Sequence, residues 1–298
     1  MIIHGHVPVL LEEALAFLDA GRAGTYIDGT FGLGGHSVEI LRRNPGASVV
    51  GFDRDETSLR EARKRLAEYA DRVRLFHADF RDLPEDEIDF ASVRGVLLDL
   101  GISSFQLDSP ERGFSFNAAG PLDMRMDRRM KTTAAKILEK YSESKLDEMF
   151  RRYGELPQTR RLAREIVTRR KLRPFETTDQ LRCLVEEIYR WRPQKGKVHP
   201  AAKAFQALRI EINRELEGLV EFLERMTLLT RPGTRFVVIA FHSLEDRIIK
   251  RTFAALSASG ENTPRLKALT RKPVTASEAE VRANSRARSA KLRAAERA

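Results

Sequence analysis

Four glycines crowd one turn near the start of the chain, in Tyr26-Ile27-Asp28-Gly29-Thr30-Phe31-Gly32-Leu33-Gly34-Gly35-His36-Ser37. A short β-like run precedes this turn and a helix-like run follows it. A second apolar run, Val49-Val50-Gly51-Phe52, then ends in an acid at Asp53, 19 residues after Gly34. This is the layout of a nucleotide-binding βαβ unit. Glycines let the backbone turn tightly and approach a ligand, and the later carboxylate accepts hydrogen bonds from ribose hydroxyls.

The alternation continues. Pro8 to Leu18 reads as an amphipathic helix with Leu11, Ala14, Leu15 and Leu18 on one face. Strands are predicted at Thr25–Asp28, Ser48–Phe52, Val73–Phe76 and Val96–Leu98, with helices through Leu41 and over Thr57–Ala70 between the first three. That order makes an open, mostly parallel sheet with helices on both faces. It then stops. Between about 106 and 200 the patterns are helical, at Ala134–Leu138, Leu146–Phe150, Thr159–Arg170 and Thr178–Tyr189, with prolines between them. A long helix from Ala201 to about Thr227 is predicted next, followed by a strong buried strand at Arg235–Ala240 and a helix at Leu244–Leu256. The tail after Gly260 is rich in Ala, Arg and Ser; it reads as partly disordered when free, with Ala290–Ala294 able to add an edge strand. The domains expected are 1–105 with 201–298, and a helical insertion at 106–200.

Charge separates the same regions. Residues 1–109 hold 12 Lys/Arg against 19 Asp/Glu, whereas residues 110–203 hold 23 against 13 and residues 265–298 hold 10 against 3. A polyanion is the partner that two basic segments suggest, although basic helices also serve solubility alone. No apolar run approaches a membrane span, and the start lacks a charged-then-apolar leader pattern, so a cytoplasmic protein is expected. Cys183 is the only cysteine and reads as a buried helical residue. The histidines are scattered without metal-ligand spacing, and no catalytic metal is expected.

The glycine loop does not read as G-x-G-x-x-G, since Ser37 stands at the third glycine. An acid, Asp28, closes its strand. A carboxylate there repels a pyrophosphate and suits a cationic ligand. S-adenosylmethionine carries an ammonium, a sulfonium and a ribose but no phosphate, and is the cofactor these residues favour. Asp28, Asp53 and Asp99 all fall at carboxyl ends of predicted strands, where open α/β sheets bind ligands. Asp99 could instead cap the following turn. His77-Ala78-Asp79-Phe80 could grip an adenine, or Phe80 could simply pack inward. Phe114 and Phe116 suit base stacking and equally suit domain packing. After the late strand, Ser243 is a plausible helix cap with Asp246 at capping-box spacing, and His242 is a candidate for substrate contact.

These motifs resemble the bacterial 16S rRNA (cytosine-N4) methyltransferase family over essentially the whole chain. The resemblance rests on His6–Leu11, Tyr26–Ser37, Leu97–Ser104 with Gln106-Leu107-Asp108, and Glu111–Phe116 with Pro121–Asp127. It continues through His199-Pro200-Ala201, Phe205–Ile210, Phe241–Arg247 and Arg286–Ser289. It implies a Rossmann-like S-adenosylmethionine methyltransferase fold with an inserted helical domain for substrate recognition. It implies cofactor contacts at Gly34, Gly35, His36, Asp53, Phe80, Asp99 and Gln106, and 16S rRNA as partner, within the small ribosomal subunit. Many amine methyltransferases follow the fourth-strand acid with Pro-Pro-aromatic. Here Asp99 is followed by Leu100-Gly101-Ile102, so the base-gripping role is not assumed from the motif.

Cytosine N4 is a poor nucleophile because its lone pair is delocalised into the ring. Transfer needs in-line positioning and an acceptor that draws the lone pair out. Asp99 is the first candidate for that acceptor and His242 the second. A DNA amino-methyltransferase and a non-catalytic RNA-binding assembly factor are the alternatives.

Overall fold

The computed structural model describes residues 8–194, 196–258 and 265–298. The chain divides into two compact units, residues 1–101 with 216–298, and residues 102–215.

The strands, all in the first unit, are β1 (Gly24–Asp28), β2 (Ala47–Asp53), β3 (Val73–His77), β4 (Val93–Asp99), β5 (Arg235–Ala240), β6 (Leu266–Ala268) and β7 (Lys291–Arg297). Its helices number among α1 (Leu11–Leu18), α2 (Gly35–Arg43) and α3 (Glu56–Arg65), then, after those of the second unit, α10 (Leu219–Leu229), α11 (Ser243–Ser257) and α12 (Glu278–Ala283). The second unit holds α4 (Ser104–Asp108), α5 (Ala134–Lys140), α6 (Glu143–Gly154), α7 (Thr159–Arg169), α8 (Thr178–Tyr189) and α9 (Pro200–Asn213).

The described strands form one sheet in the order β3-β2-β1-β4-β5-β7-β6. The first five are parallel, and β7 runs antiparallel to both β5 and β6. Strand residues alternate between two apolar layers, as a period of two requires. Tyr26, Val49, Leu97, Val237 and Ile239 face α1, α2 and α3, through residues such as Leu15, Ile40 and Leu59. Ile27, Val50, Leu98, Phe236 and Val238 face α10 and α11, through Leu219, Phe222, Met226, Ile249 and Phe253. A sheet covered on both faces needs continuous apolar strands. That is why Val96–Leu98 and Arg235–Ala240 stand out in the sequence. The architecture is the Rossmann-like one expected.

Several local expectations are corrected. The helix predicted to start at Pro8 starts at Leu11, after Leu10 adopts a left-handed φ of 53°. The helix predicted over Ala201 to Thr227 is two helices. Arg214 ends α9 with φ 51°, and Gly218 opens α10 with φ 69°. Helix α9 also packs in the core of the helical unit through Ala204, Phe205 and Leu208, so the second boundary falls at 215 and not at 200. The Ala290–Ala294 strand is not an edge. β7 lies inside the sheet, tied by Arg293, whose guanidinium donates to Asp246 Oδ1 at 2.6 Å. The tail from 265 is ordered structure rather than partly disordered chain, and Gly260 lies outside the described residues. Cys183, expected to be buried, is exposed on α8.

In the helical unit, Leu146, Phe150, Leu162, Ile166, Leu181, Leu184 and Leu208 are buried together. Asn213 stitches the loop before α5 to α9. Its amide donates to Met124 O and accepts from Met126 N, each at 2.8 Å.

Candidate active site

The rim of the sheet is built from the carboxyl ends of β1, β2 and β4. Asp28 closes β1 and is buried. Its Oδ1 accepts from Thr30 N at 3.2 Å and its Oδ2 from the Ser37 hydroxyl at 2.6 Å. The acid therefore ties the glycine turn to the first turn of α2. Gly34 opens that helix with φ 75°, and a Cβ there would meet the Phe31 ring at 2.7 Å. A left-handed φ and a close aromatic together require glycine. Gly35 is equally crowded, by the Pro8 ring at 2.5 Å. His36 is buried, with Nε2 3.1 Å from Val9 O and Nδ1 3.8 Å from Asp99 Oδ2.

Asp53 closes β2. Its Oδ2 accepts from Gly32 N at 2.6 Å and its Oδ1 from Asp55 N at 2.7 Å, so the carboxylate is oriented while each oxygen keeps acceptor capacity. Asp99 closes β4. Its backbone N–H donates to Thr30 Oγ1 at 2.5 Å, but its Oδ1 is enclosed and has no hydrogen-bond partner among the described residues.

The electrostatics of this rim are one-sided. Burial pushes the carboxyls of Asp28 and Asp53 up to about 6 each. Burial pushes Asp99 well above the usual carboxylate range, and the charges of Asp28 and Glu245 push it further. No arginine or lysine among the described residues figures as an opposing cause in any of the three. Buried acids left without a cation favour their neutral form. A ligand bearing positive charge and ribose hydroxyls supplies what is missing, namely charge compensation and donors for the open carboxylate oxygens. The donor set and the orphaned Asp99 oxygen thus fit S-adenosylmethionine.

Asp79 is different. Burial raises its carboxyl, but hydrogen bonds from Arg81 and the charge of Arg54 outweigh this and hold it below the ordinary range. Arg81 Nη2 lies 2.6 Å and Arg54 Nε 3.1 Å from its Oδ2. It is spent on those two cations. Phe80 packs edge-on against Phe222, with centroids 4.8 Å apart, and its Cβ would lie 3.0 Å from a Cβ on Gly29. It remains only partly buried. Inward packing and a wall beside the glycine loop are both present in its geometry.

His242, not Ser243, caps α11. Its Nδ1 accepts from Glu245 N at 3.4 Å, and Glu245 Oε2 accepts from His242 N at 3.3 Å. The capping box therefore begins one residue earlier than predicted, and Asp246 is paired instead with Arg293 and Lys291. The buried Glu245 was missed. The signal was present as an acid three residues after a possible cap, but the register was assigned from Ser243. Gln106 is buried in the helical unit, where its Oε1 accepts from Ser103 N at 3.1 Å in a second capping box. Phe114 is buried in the core of that unit and so is unavailable for base stacking. Phe116 is partly exposed and stacks on His199 with centroids 5.0 Å apart. Of the opening His6–Leu11 motif, His6 and Val7 lie outside the described residues.

A parallel sheet of this order, with a glycine turn into α2 and uncompensated acids on its carboxyl rim, defines a Rossmann-like, S-adenosylmethionine-dependent methyltransferase. Comparison with known proteins narrows the class. The profile of the MraW methylase family matches residues 3–298, and the chain belongs to that family. It is 47% identical to the ribosomal RNA small subunit methyltransferase H of Oleidesulfovibrio alaskensis, over 98% of this chain and 95% of that one. It is 46% identical to the protein of the same name from Carboxydothermus hydrogenoformans, over 98% and 97%. For that of Thermomicrobium roseum the figures are 46%, 98% and 93%.

The raised carboxyls carry a pH prediction with two opposite signs. In the free protein, Asp28 and Asp53 bind protons below about 6, whereas an unfolded aspartate does so only below about 4. Their stabilising effect is thus fully present below about 4 and is lost as pH rises through about 6, on the order of 3 kcal/mol each. Cofactor affinity runs the other way, because a cation needs the ionised acids. It is expected to weaken about tenfold for each pH unit lowered below 6 per proton taken up. Calorimetric titration between pH 5 and 8 checks this. A flat affinity would detach these acids from the cofactor.

Proposed function

We propose that this chain transfers a methyl group from S-adenosylmethionine to the exocyclic N4 amine of a cytidine in the decoding region of 16S rRNA. Full-length membership of the MraW methylase family, with relatives named as small-subunit rRNA methyltransferases, carries the reading. The rim geometry supports it.

The bound cofactor supplies an electrophilic methyl group. The remaining work falls to the chain's own residues. Gly34, Gly35 and His36 hold the turn against which the cofactor packs, Asp53 accepts from the ribose, and Phe80 walls the adenine side, with Gln106 as a further contact. Asp99 accepts a hydrogen bond from the N4 amine through its carboxylate. This draws the lone pair out of the ring and gives the departing proton a destination. A carboxyl whose burial raises its proton affinity suits that role better than a solvated one. His242, the second candidate, has its Nδ1 spent on the helix cap, which leaves Nε2 as a donor and disfavours it as the acceptor. The cytidine must be unpaired or flipped out to reach the rim.

The helical unit is the substrate-recognition domain in this reading. Residues 110–203 carry an excess of ten positive charges, which suits RNA phosphates. Partly exposed Phe116, His199 and Trp191 cluster on it, with centroids 5.0 and 4.9 Å apart along the chain of contacts. The substrate proposed is the small ribosomal subunit or its rRNA, in the cytoplasm. None of the described helices is long and apolar enough to cross a membrane.

The test is transfer of labelled methyl from S-adenosylmethionine to undermethylated small subunits, naked rRNA and duplex DNA, with product nucleosides resolved by mass. Labelled N4-methylcytidine from rRNA is expected. Cofactor binding without transfer to any rRNA acceptor would overturn the reading in favour of a non-catalytic role, and label on DNA alone would reassign the acceptor.

A further inference from the structure

We propose that a small cleft at the start of α11 binds a backbone phosphate of the RNA substrate, next to the target cytidine. The cleft has a volume of about 240 Å³ and is lined by His242, Ser243, Thr275, Arg288, Ser289 and Lys291, among others. Clefts that hold whole small molecules begin near 300 Å³. This one is sized for a single phosphodiester group and not for a cofactor.

Its lining is chemically consistent. Arg288 and Lys291 bring two positive charges, and Ser243, Thr275 and Ser289 bring three hydroxyls. The N-terminal end of a 15-residue helix faces it, with the partial positive charge that attracts anions. His242 uses Nδ1 to accept the Glu245 N–H, so its Nε2 carries the proton. That Nε2 is enclosed and lies 3.2 Å from Glu245 Oε1, so His242 is held by its own helix and leaves the anion to Arg288 and the hydroxyls.

The carboxylates nearby are already engaged. Glu245 accepts backbone N–H groups from Phe241 and His242 through Oε2. Asp246 takes Arg293 at 2.6 Å and Lys291 at 3.5 Å. Lys291 is thereby partly neutralised. Arg288 is exposed and pairs with no carboxylate among the described residues. It is the uncompensated cation of the cleft, and it stands in the Arg286–Ser289 motif.

Position suggests which phosphate. His242 lies three residues beyond Ile239, which pairs in register with Asp99 across β4 and β5. Cleft and proposed amine acceptor therefore share one rim of the sheet. A nucleotide whose base reaches Asp99 has its own phosphodiester as the nearest anion. The inference rests on the proposed rRNA reading.

The experiment uses the full-length protein with Arg288→Ala, Arg288→Lys and, as a control for general charge loss, Arg271→Ala. With undermethylated small subunits, Arg288→Ala is expected to raise KM about tenfold while kcat and cofactor affinity stay within about twofold. The slope of log(kcat/KM) against log salt is expected to fall by about 0.7–0.9, as for the loss of one phosphate contact. Arg288→Lys is expected to restore most of the affinity. Binding of a short cytidine-containing RNA, followed by fluorescence anisotropy without cofactor, is expected to weaken in parallel. An unchanged KM and salt slope for Arg288→Ala, in an enzyme that methylates rRNA normally, would overturn the phosphate site alone. An equal effect from Arg271→Ala would overturn it as unspecific charge. If the wild type transfers no methyl to rRNA, the functional reading fails, while the anisotropy arm still reports on the cleft.

Discussion

Replacing Asp99 by asparagine is expected to lower kcat for methyl transfer by about 10²- to 10⁴-fold, the usual range for losing a general base or its equivalent. The same change is expected to raise the thermal stability of the free protein. The two effects have one origin. Asp99 Oδ1 is enclosed and lacks a partner, and burial together with Asp28 and Glu245 disfavours its charge. What asparagine relieves is the cost of a buried negative charge beside two other carboxylates. Asparagine keeps the shape, removes the charge, and cannot take the proton that N4 must lose. Function is thus set against stability at this residue. Differential scanning calorimetry and single-turnover transfer assays test both halves. Unchanged cofactor affinity with lost turnover assigns Asp99 to the amine. Lost cofactor affinity would reassign it to the cofactor. A drop in stability would contradict the account of its buried oxygen.

Gly113→Ala is expected to destabilise the helical unit by about 3–5 kcal/mol, in the exceptional range for one methyl group. Gly113 has φ 70°, and a Cβ there would lie 2.0 Å from Pro121 O and 2.9 Å from Asp123 N. Neither neighbour is a flexible side chain, so the backbone itself must move. It is held from several directions. Met124 N donates to Arg112 O at 3.0 Å, the Arg112 guanidinium donates to Arg125 O and Met126 O, and Asn213 grips Met124 and Met126. Moving one strand of this loop breaks bonds in the other, where unpaired buried groups are costly. Urea unfolding of Gly113→Ala beside Gly21→Ala separates the effect from glycine loss in general. A Cβ at Gly21 meets nothing within 4 Å, and that variant is expected to stay within about 0.5 kcal/mol of wild type. Similar stabilities for the two would refute the clash.

Much of the cofactor-binding half was legible because its signals are local. A strand buried on both faces is a run of apolar residues, as at Val96–Leu98, wherever it sits in the sheet. A glycine that must adopt a left-handed φ beside an aromatic ring, as Gly34 does, is visible as glycine. An acid closing such a run, at Asp28, Asp53 or Asp99, falls at the ligand-binding rim by topology alone. The family resemblance added candidates that no spacing rule singles out, such as Gln106, which the structure places in a capping box.

Other features were illegible because they depend on partners far away in the chain. Ala290–Ala294 reads as an optional edge because nothing local says that β7 enters between β5 and β6. That choice is made by pairing with residues some 55 positions earlier and by the Asp246–Arg293 ion pair. The apolar helical pattern runs from Ala201 to Thr227 and only Gly218 interrupts it, yet Arg214 takes a left-handed conformation and the chain leaves the helical unit for the other. The cap of α11 was assigned to Ser243 on residue preference, whereas the backbone places His242 in the extended conformation that a cap requires. Cys183 had its burial reversed and Phe114 stayed open between stacking and packing, since an apolar or weakly polar side chain is compatible with either side until the helices are packed. By itself the sequence determined the alternating α/β order, the glycine turn and the acids at the strand ends, because steric and periodic constraints act within a few residues. Only the tertiary structure decided which of those acids lacks a partner, since desolvation and unpaired hydrogen-bonding capacity depend on every neighbour that the fold brings or withholds.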